Sequence, residues 1–337
     1  MTAQVPRERR VGTIPFVANQ FGNDLFGPNG GLPLSVYEYF VLRLSGTLTI
    51  SVATAGALVP EQPRTLIKAV QVVVTGLTGD TFIDIPLTDL VVLSEFVANR
   101  PGASPQETPV SANTVAAYPF SGEYYLPFSL EDMANPYRGF FAANRYAQVR
   151  LRIQWGNTTD IVATGGATVV LTNTQVDVFV REFSFEPRFE TAQDLLLHQR
   201  VSVLRTSVNA IAQIGLDIEI PRTASYLRGI LFKQYTDSPE VPITTLLTPT
   251  SQVTLLYNDT DRKYETTLSQ LLGENKRNYM RTGTFPTGYA FLDLSPDGDF
   301  SLLQNMLNLQ KIVLRLDTAS VANAFIRTTL VKYAQSA

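Results

Sequence analysis

Glu131 and Asp132 stand side by side after a predicted strand. Two carboxylates are what glycoside hydrolysis requires, provided they face each other about 5–10 Å apart across a bond. Adjacent strand residues point to opposite faces, so these two cannot serve one site together. Asp293, Asp297 and Asp299, with Gly298, offer the oxygen ligands that calcium prefers, and Asn258-Asp259-Thr260-Asp261 does the same. Both runs are equally ordinary turn sequences. His198 follows Leu195-Leu196-Leu197 with no GxSxG nucleophile motif to serve, which leaves it a structural role. Trp155 closes a predicted strand, where an edge or rim position competes with a sugar-binding platform. Arg152 and Arg315 suit outward strand positions or ion pairs. No glycine-rich loop follows a strand with the spacing of a phosphate cradle. No catalytic, cofactor-binding or metal-ligating residue is therefore assigned, and no cofactor is expected.

Composition narrows the chemistry further. The chain has no cysteine, which excludes a disulfide framework, thiolate metal sites and a cysteine nucleophile. Its single histidine excludes centres that need two or three imidazoles. A net charge of −3 gives no general footprint for nucleic acid, and no sequence-specific nucleic-acid partner is expected. Charged residues make up 17% of the chain, against about 25% in an average soluble protein, so part of the surface is expected to be uncharged or covered by partners. The first ten residues lack the apolar core of a signal peptide, and no stretch reaches the ~18 apolar residues of a membrane span. A soluble protein not exported by the usual signal is expected.

The elements that would position these residues are almost all strands. Val36–Val52 alternates with period two from Leu42 on, as a half-buried strand does. Thr65–Thr75, Thr81–Ile85, 123–130, 146–155 and 169–185 read as strands in the first half, and 201–208, 211–220, 226–235, 253–257 and 322–332 in the second. Leu87–Asn99 fits neither period cleanly. Tyr264–Leu272, closed by Gly273, and Phe300–Leu309 carry helical spacing. Arg100–Thr114, with three prolines among serines and threonines, is expected to be a long exposed loop.

Two separated stretches resemble each other. Tyr125-Leu126-Pro127-Phe128 followed by Tyr146–Trp155 has its counterpart in Tyr289–Leu294 followed by Ile312–Leu316. The offsets are 289 − 125 = 164 for the tyrosines and 315 − 152 = 163 for the arginines, which indicates an internal duplication. Upstream, Leu48-Thr49-Ile50 set against Ile218-Glu219-Ile220, and Leu66–Val70 against Leu227–Leu231, extend it with offsets of 170 and 161. Two β-rich units of about eight strands each, with long loops and no cysteine, favour the jelly roll over the immunoglobulin sandwich. The fold class is thus all-β, two tandem eight-stranded jelly rolls with a few short helices in loops. The expected divisions are an N-terminal arm at 1–34, a first jelly roll at 35–187, a connector at 188–199 and a second jelly roll at 200–337.

On these residues the chain resembles the double jelly-roll major capsid proteins of tailless icosahedral viruses with an internal membrane, the PRD1 and adenovirus lineage. The resemblance implies a structural protein and not an enzyme, one that forms homotrimers of near-hexagonal outline and tiles an icosahedral shell in the virion after synthesis in the host cytoplasm. It implies neighbouring capsomers, penton and minor capsid proteins as partners. Arg100–Ala117 and Asp237–Pro249 would be tower or trimer loops. The basic run Arg7, Arg9 and Arg10 would meet lipid phosphates or, since Glu8 offsets three arginines that fall short of the usual lipid-binding cluster, form a solvated tail, and Phe16, Phe21 and Phe26, isolated among glycines, would pack on a neighbour. The alternatives are a viral spike or carbohydrate-binding double β-sandwich, and a two-domain hydrolase using Glu131 or Asp132.

Overall fold

The computed structural model describes residues 7–26, 32–33, 35–52, 59, 61–75, 79–97, 115–128, 140–162, 168–183, 197–223, 226–237, 240–279, 288–296, 303 and 305–335. The chain divides into two compact units, Met1–Gln199 and Arg200–Ala337.

In the first unit the chain runs β1 (Arg7–Pro15), β2 (Leu25–Phe26), β3 (Val36–Val52), β4 (Ile67–Thr75), β5 (Gly79–Ile85), α1 (Leu87–Val97), β6 (Ala116–Pro127), β7 (Phe141–Ala142), β8 (Gln148–Trp155) and β9 (Thr168–Phe183). One sheet has the order β1-β9-β3-β6, with β7 added beside the start of β3. The other has β2-β8-β4-β5, and all pairs are antiparallel. Two four-stranded sheets that share out the strands in this way make a jelly roll. Along β8 every second side chain, Val149, Leu151, Ile153 and Trp155, is buried, as a strand with one face on a core requires. Phe141 is the hub of an aromatic cluster, stacked on Tyr37, Phe128 and Tyr146 at centroid distances of 5.8, 5.1 and 5.6 Å, with Phe82 edge-on at 5.6 Å.

The second unit runs β10 (Leu197–Val208), β11 (Gln213–Glu219), β12 (Tyr226–Asp237), β13 (Glu240–Pro242), β14 (Gln252–Tyr257), β15 (Asp261–Thr267), α2 (Leu268–Tyr279), β16 (Tyr289–Asp293), β17 (Ile312–Thr318) and β18 (Ala324–Gln335). Its sheets are β10-β18-β12-β16, with β13 also on β12, and β11-β17-β14-β15. Between them lies a continuous core that includes Ile230, Phe232, Leu255, Leu292, Leu314 and Ile326. The strand order matches that of the first unit place for place, down to the helix that follows the corresponding strand in each: β5 leads into α1 and β15 into α2.

This correspondence corrects the expected boundary at residue 35. Arg7–Pro15 is no arm: it pairs with β9 from Arg7↔Glu182 to Pro15↔Gln175 and is the first strand of the first roll. Leu25–Phe26 is the second, paired with Leu151 and Arg150. Basic residues and glycines hide the strand because β1 lies at a sheet edge, with Arg7 to Arg10 exposed. Residues 188–196 of the expected connector lie outside the described residues, and Leu197–Gln199 already belong to β10.

Tyr125 and Tyr289 lie on corresponding strands, β6 and β16, as do Arg152 and Arg315, on β8 and β17. The two upstream matches are not equivalent positions. Leu48–Ile50 lies on β3, which corresponds to β12 and not to the β11 segment that contains Ile218; Leu66–Val70 leads into β4, which corresponds to β14 and not to β12. Short alternating apolar runs look alike in every half-buried strand, so they cannot say which strand they are. The helix starts give the true upstream offset, 268 − 87 = 181, which falls to 312 − 148 = 164 at β8 and β17.

The helical expectations also move. Leu87–Val97 is a helix, whereas residues 264–267 of the expected second helix are the end of strand β15, and the helix proper begins at Leu268. Gly273 sits inside α2 and does not cap it. Of the Phe300–Leu309 stretch, a single 3₁₀ turn, Met306–Asn308, is seen among the described residues. Asp237–Pro249, expected as a tower or trimer loop, contains the β12–β13 pairing and the buried Leu246 and Leu247.

Candidate assembly surfaces

Glu131, Asp132, Asp297, Asp299 and residues 100–114, expected to be a loop, lie outside the described residues. Asp293 is committed within its own roll. It forms a buried ion pair with Arg228 at 3.2 Å, accepts the Ser295 amide at 2.9 Å and accepts the Tyr279 hydroxyl. Asn258 and Asp259, both in the left-handed backbone region, turn the β14–β15 hairpin, and Asp259 pairs with Lys311 at 2.9 Å. Among the described residues no group of three or more His, Cys, Asp or Glu is placed to hold a metal. No described helix is long and apolar enough to cross a membrane.

Trp155 is not at a rim. It is 1% exposed, with the Phe16 ring edge-on at 5.4 Å, so it offers no face to a sugar. The burial follows from β8, which directs alternate residues inward up to its last position. His198 lies on β10.

The basic N-terminal residues are engaged within their own unit. Arg9 Nε lies 2.7 Å from Glu182 Oε1 and Arg10 Nη2 2.6 Å from Asp177 Oδ1. Burial pushes the Asp177 carboxyl up, but hydrogen bonds from Thr13 and Arg10 overcome this and hold it below the usual range. Phe16 packs on Trp155, and Phe21 lies under the Arg152 guanidinium at 4.3 Å. Phe26 is on β2. The aromatics expected on a neighbour thus include two that find their contacts on β8 of the same unit, because the segment that carries them runs along the sheet edge.

Arg152 and Arg315 make equivalent ion pairs in the two rolls. Arg152 Nε lies 3.1 Å from Asp24 Oδ1, just before β2, and Arg315 grips Asp217 of β11 with two bonds of 2.6 and 2.8 Å. The corresponding edge strand of each roll is thereby tied to its neighbour. Neither aspartate partner was evident from sequence, since Asp24 sits in a glycine-rich run with no periodicity.

Among the described residues, five of the exposed apolar side chains fall into two groups, with Val17 and Leu307 apart from them. In the first roll, Val52, Val115 and Val170 gather at one end of the β1-β9-β3-β6 sheet, where Ile50 pairs with both Ala116 and Val169. In the second, Ile211 and Ile214 are 76% and 95% exposed around the start of β11. A groove of about 500 Å³ in the same roll is lined by Gln234, Leu247, Leu268, Leu272, Lys276 and Tyr289, among others. Against the ring of Tyr289 lies the Lys233 ammonium, 3.9 Å from the centroid. The apolar character of this second roll's surface was not legible in sequence, because exposure of an isoleucine depends on a local bulge.

No protein-family model and no curated protein matches the sequence. Solved structures do match. A crystal structure of the STIV major capsid protein superposes with a TM-score of 0.73 at 12% identity, over 98% of this chain and 97% of that one. The chain has the double jelly-roll fold. An atomic structure of Sulfolobus Turreted Icosahedral Virus gives a TM-score of 0.74 at 12% identity, covering 98% and 91% of the two chains. A quasi-atomic model of the PBCV-1 virus capsid gives 0.64 at 10% identity, over 99% and 94%. This double jelly roll shares both of its rolls, in order, with all three.

Proposed function

We propose that this chain is a viral major capsid protein whose activity is self-association: trimers of near-hexagonal outline that tile an icosahedral shell. The observation that carries this reading is the superposition on the STIV major capsid protein over 98% and 97% of the two chains, with both rolls used and neither left over. The low charge fraction of 17% and the exposed isoleucines and valines suit a surface that neighbours cover. Stable assemblies of this kind commonly bury about 2,000 Å² or more per interface.

The function is mechanical and no reaction is assigned. Neighbouring capsomers are the first partners, with penton and minor capsid proteins filling the positions that a hexagonal tile cannot. An internal membrane beneath the shell belongs to the same proposal, but Arg9 and Arg10 are weak candidates for touching it, since Glu182 and Asp177 already neutralise them. The carbohydrate-binding alternative loses its one tryptophan to the core.

Light scattering after size exclusion tests the proposal. A species of three times 37.2 kDa, or larger particles, is expected, and a strict monomer at every protein and salt concentration would overturn it.

A further inference from the structure

Ile214 owes its exposure to a β-bulge. Between Gln213↔Thr318 and Leu216↔Leu316 the register of β11 on β17 slips, so that Ile214 and Gly215 together oppose Asp317. A bulge bends its strand and re-aims a side chain. Gly215 provides the required left-handed backbone, at φ +80°, and its amide donates to Asp317 Oδ1 at 2.9 Å. Next to it, Ser320 Oγ donates to the carbonyl of Ala210. The apolar tip of Ile211 and Ile214 is therefore held in place before any partner arrives, which lowers the entropy lost on docking.

The groove lies beyond β15, the opposite edge of the same sheet: α2, which follows β15 directly, lines it together with Gln234 of β12 and Tyr289 of β16 from the other sheet of the roll. One row of paired residues crosses the β11-β17-β14-β15 sheet from edge to edge: Leu216 on β11, Leu316 on β17, Val253 on β14 and Thr266 on β15. Ile214 precedes the first member of the row by two residues, and Leu268, which lines the groove, follows the last by two. Because β11 and β15 run in opposite directions, tip and groove emerge at the same end. Three strand spacings of about 4.8 Å put the edges about 14 Å apart.

Charge agrees with shape. Beside Ile214, Asp217 and Arg315 cancel each other, and Asp317 makes no ion pair among the described residues. In the groove, Lys276 likewise makes none. A carboxylate thus flanks the tip and an ammonium lines the groove, whose remaining walls include Leu247, Pro249, Leu268, Leu272 and Tyr289.

We infer that the Ile211–Ile214 tip of one copy seats in the Leu247–Leu268–Leu272 groove of a second copy, with Asp317 facing Lys276. A tip on one edge and a groove beyond the other make a head-to-tail contact, and such contacts close into rings when the rotation permits. This deepens the capsid reading and rests on it.

The absence of cysteine makes the test clean. A chain carrying both Ile214→Cys and Ser269→Cys cannot bridge within itself, because a disulfide needs Cα atoms within about 7 Å. Oxidised after assembly, it should give covalent trimers or longer ladders on a denaturing gel, while each single variant stays monomeric there. Ile214→Asp should raise the concentration at which assemblies dissociate by about ten-fold or more, as loss of a central apolar anchor does. If the unaltered chain associates but the double variant does not cross-link and Ile214→Asp associates like the parent, the inference is overturned and the capsid reading stands. Mass spectrometry that finds the groove filled by a small apolar molecule, with no cross-link, overturns it equally. A parent that remains monomeric throughout overturns both.

Discussion

Asn275, buried on α2, pairs with the backbone of Phe291 on β16 as another strand would: its Nδ2 donates to the Phe291 carbonyl at 2.7 Å, and its Oδ1 accepts the Phe291 amide at 2.9 Å. β16 lies at the end of its sheet, with β12 on one side, and one side-chain amide occupies the other. Open strand edges invite pairing with other chains, and a covering helix removes that hazard.

Asn275→Ala should therefore destabilise the second roll by about 2–4 kcal/mol, since it strands two buried backbone groups. Asn275→Asp keeps the acceptor but buries an unpaired carboxylate against the Phe291 carbonyl, and should cost at least as much as the alanine change at neutral pH. Urea unfolding measures both; a loss below about 0.5 kcal/mol for the alanine variant would contradict the edge-closing role.

The Arg228–Asp293 ion pair is buried on both sides, with side chains 7% and 5% exposed. Removing one partner leaves an uncompensated charge, so Asp293→Ala should destabilise by about 3–5 kcal/mol. A double variant, Arg228→Met with Asp293→Leu, should recover most of the loss. Calcium should not alter the melting temperature of the parent chain through this aspartate, because its oxygens already serve Arg228, Tyr279 and Ser295.

Gly273 is interior to α2, exposed, and a methyl group there would meet nothing within 4 Å. Gly273→Ala should stabilise by about 0.5–1 kcal/mol, because alanine restricts the unfolded chain and favours the helix. A destabilised variant in the same urea titration would mean that α2 does not run through this position.

Lys332 is 2% exposed and donates to Thr223 Oγ1 at 3.2 Å. Burial, then the charge of Arg200, pushes its pKa down from 10.5 to about 8. Between those values the unfolded chain holds a proton that the folded chain has released, so this group makes stability rise with pH across that window. Lys332→Met should be more stable than the parent at pH 7 by about 1–2 kcal/mol, and the gain should shrink towards pH 10. Above pH 10 the buried Tyr257, pushed up to about 12 by burial and Asp261, acts with the opposite sign. Urea titrations at about pH 7 and pH 9.5 separate these; a gain that grows with pH would contradict the assignment.

Much of this fold was readable where a strand is half-buried and long. β8, β9 and the part of β3 from Leu42 on alternate because one face meets a core, whereas Val36–Leu42 of β3 are all buried. β1 and β2 were not readable, since an edge strand of arginines and a two-residue strand among glycines carry no period; only pairing with β9 and β8 defines them. Arg152 and Arg315 were matched to corresponding strands, because an arginine within an apolar alternation is distinctive, whereas Leu48 and Leu66 could be matched to any strand. The tip at Ile214 rests on a one-residue register slip against Asp317, and the groove on a helix that starts at Leu268, later than its leucine spacing suggests. Neither has a signature in a single sequence.

The most direct measurement is electron microscopy of the purified chain at high concentration, with particles averaged by class. Capsomer formation predicts three-fold particles of near-hexagonal outline, each built from three copies of the double roll, that join edge to edge. Fields of single chains with no rotational symmetry, at every concentration tried, would contradict it.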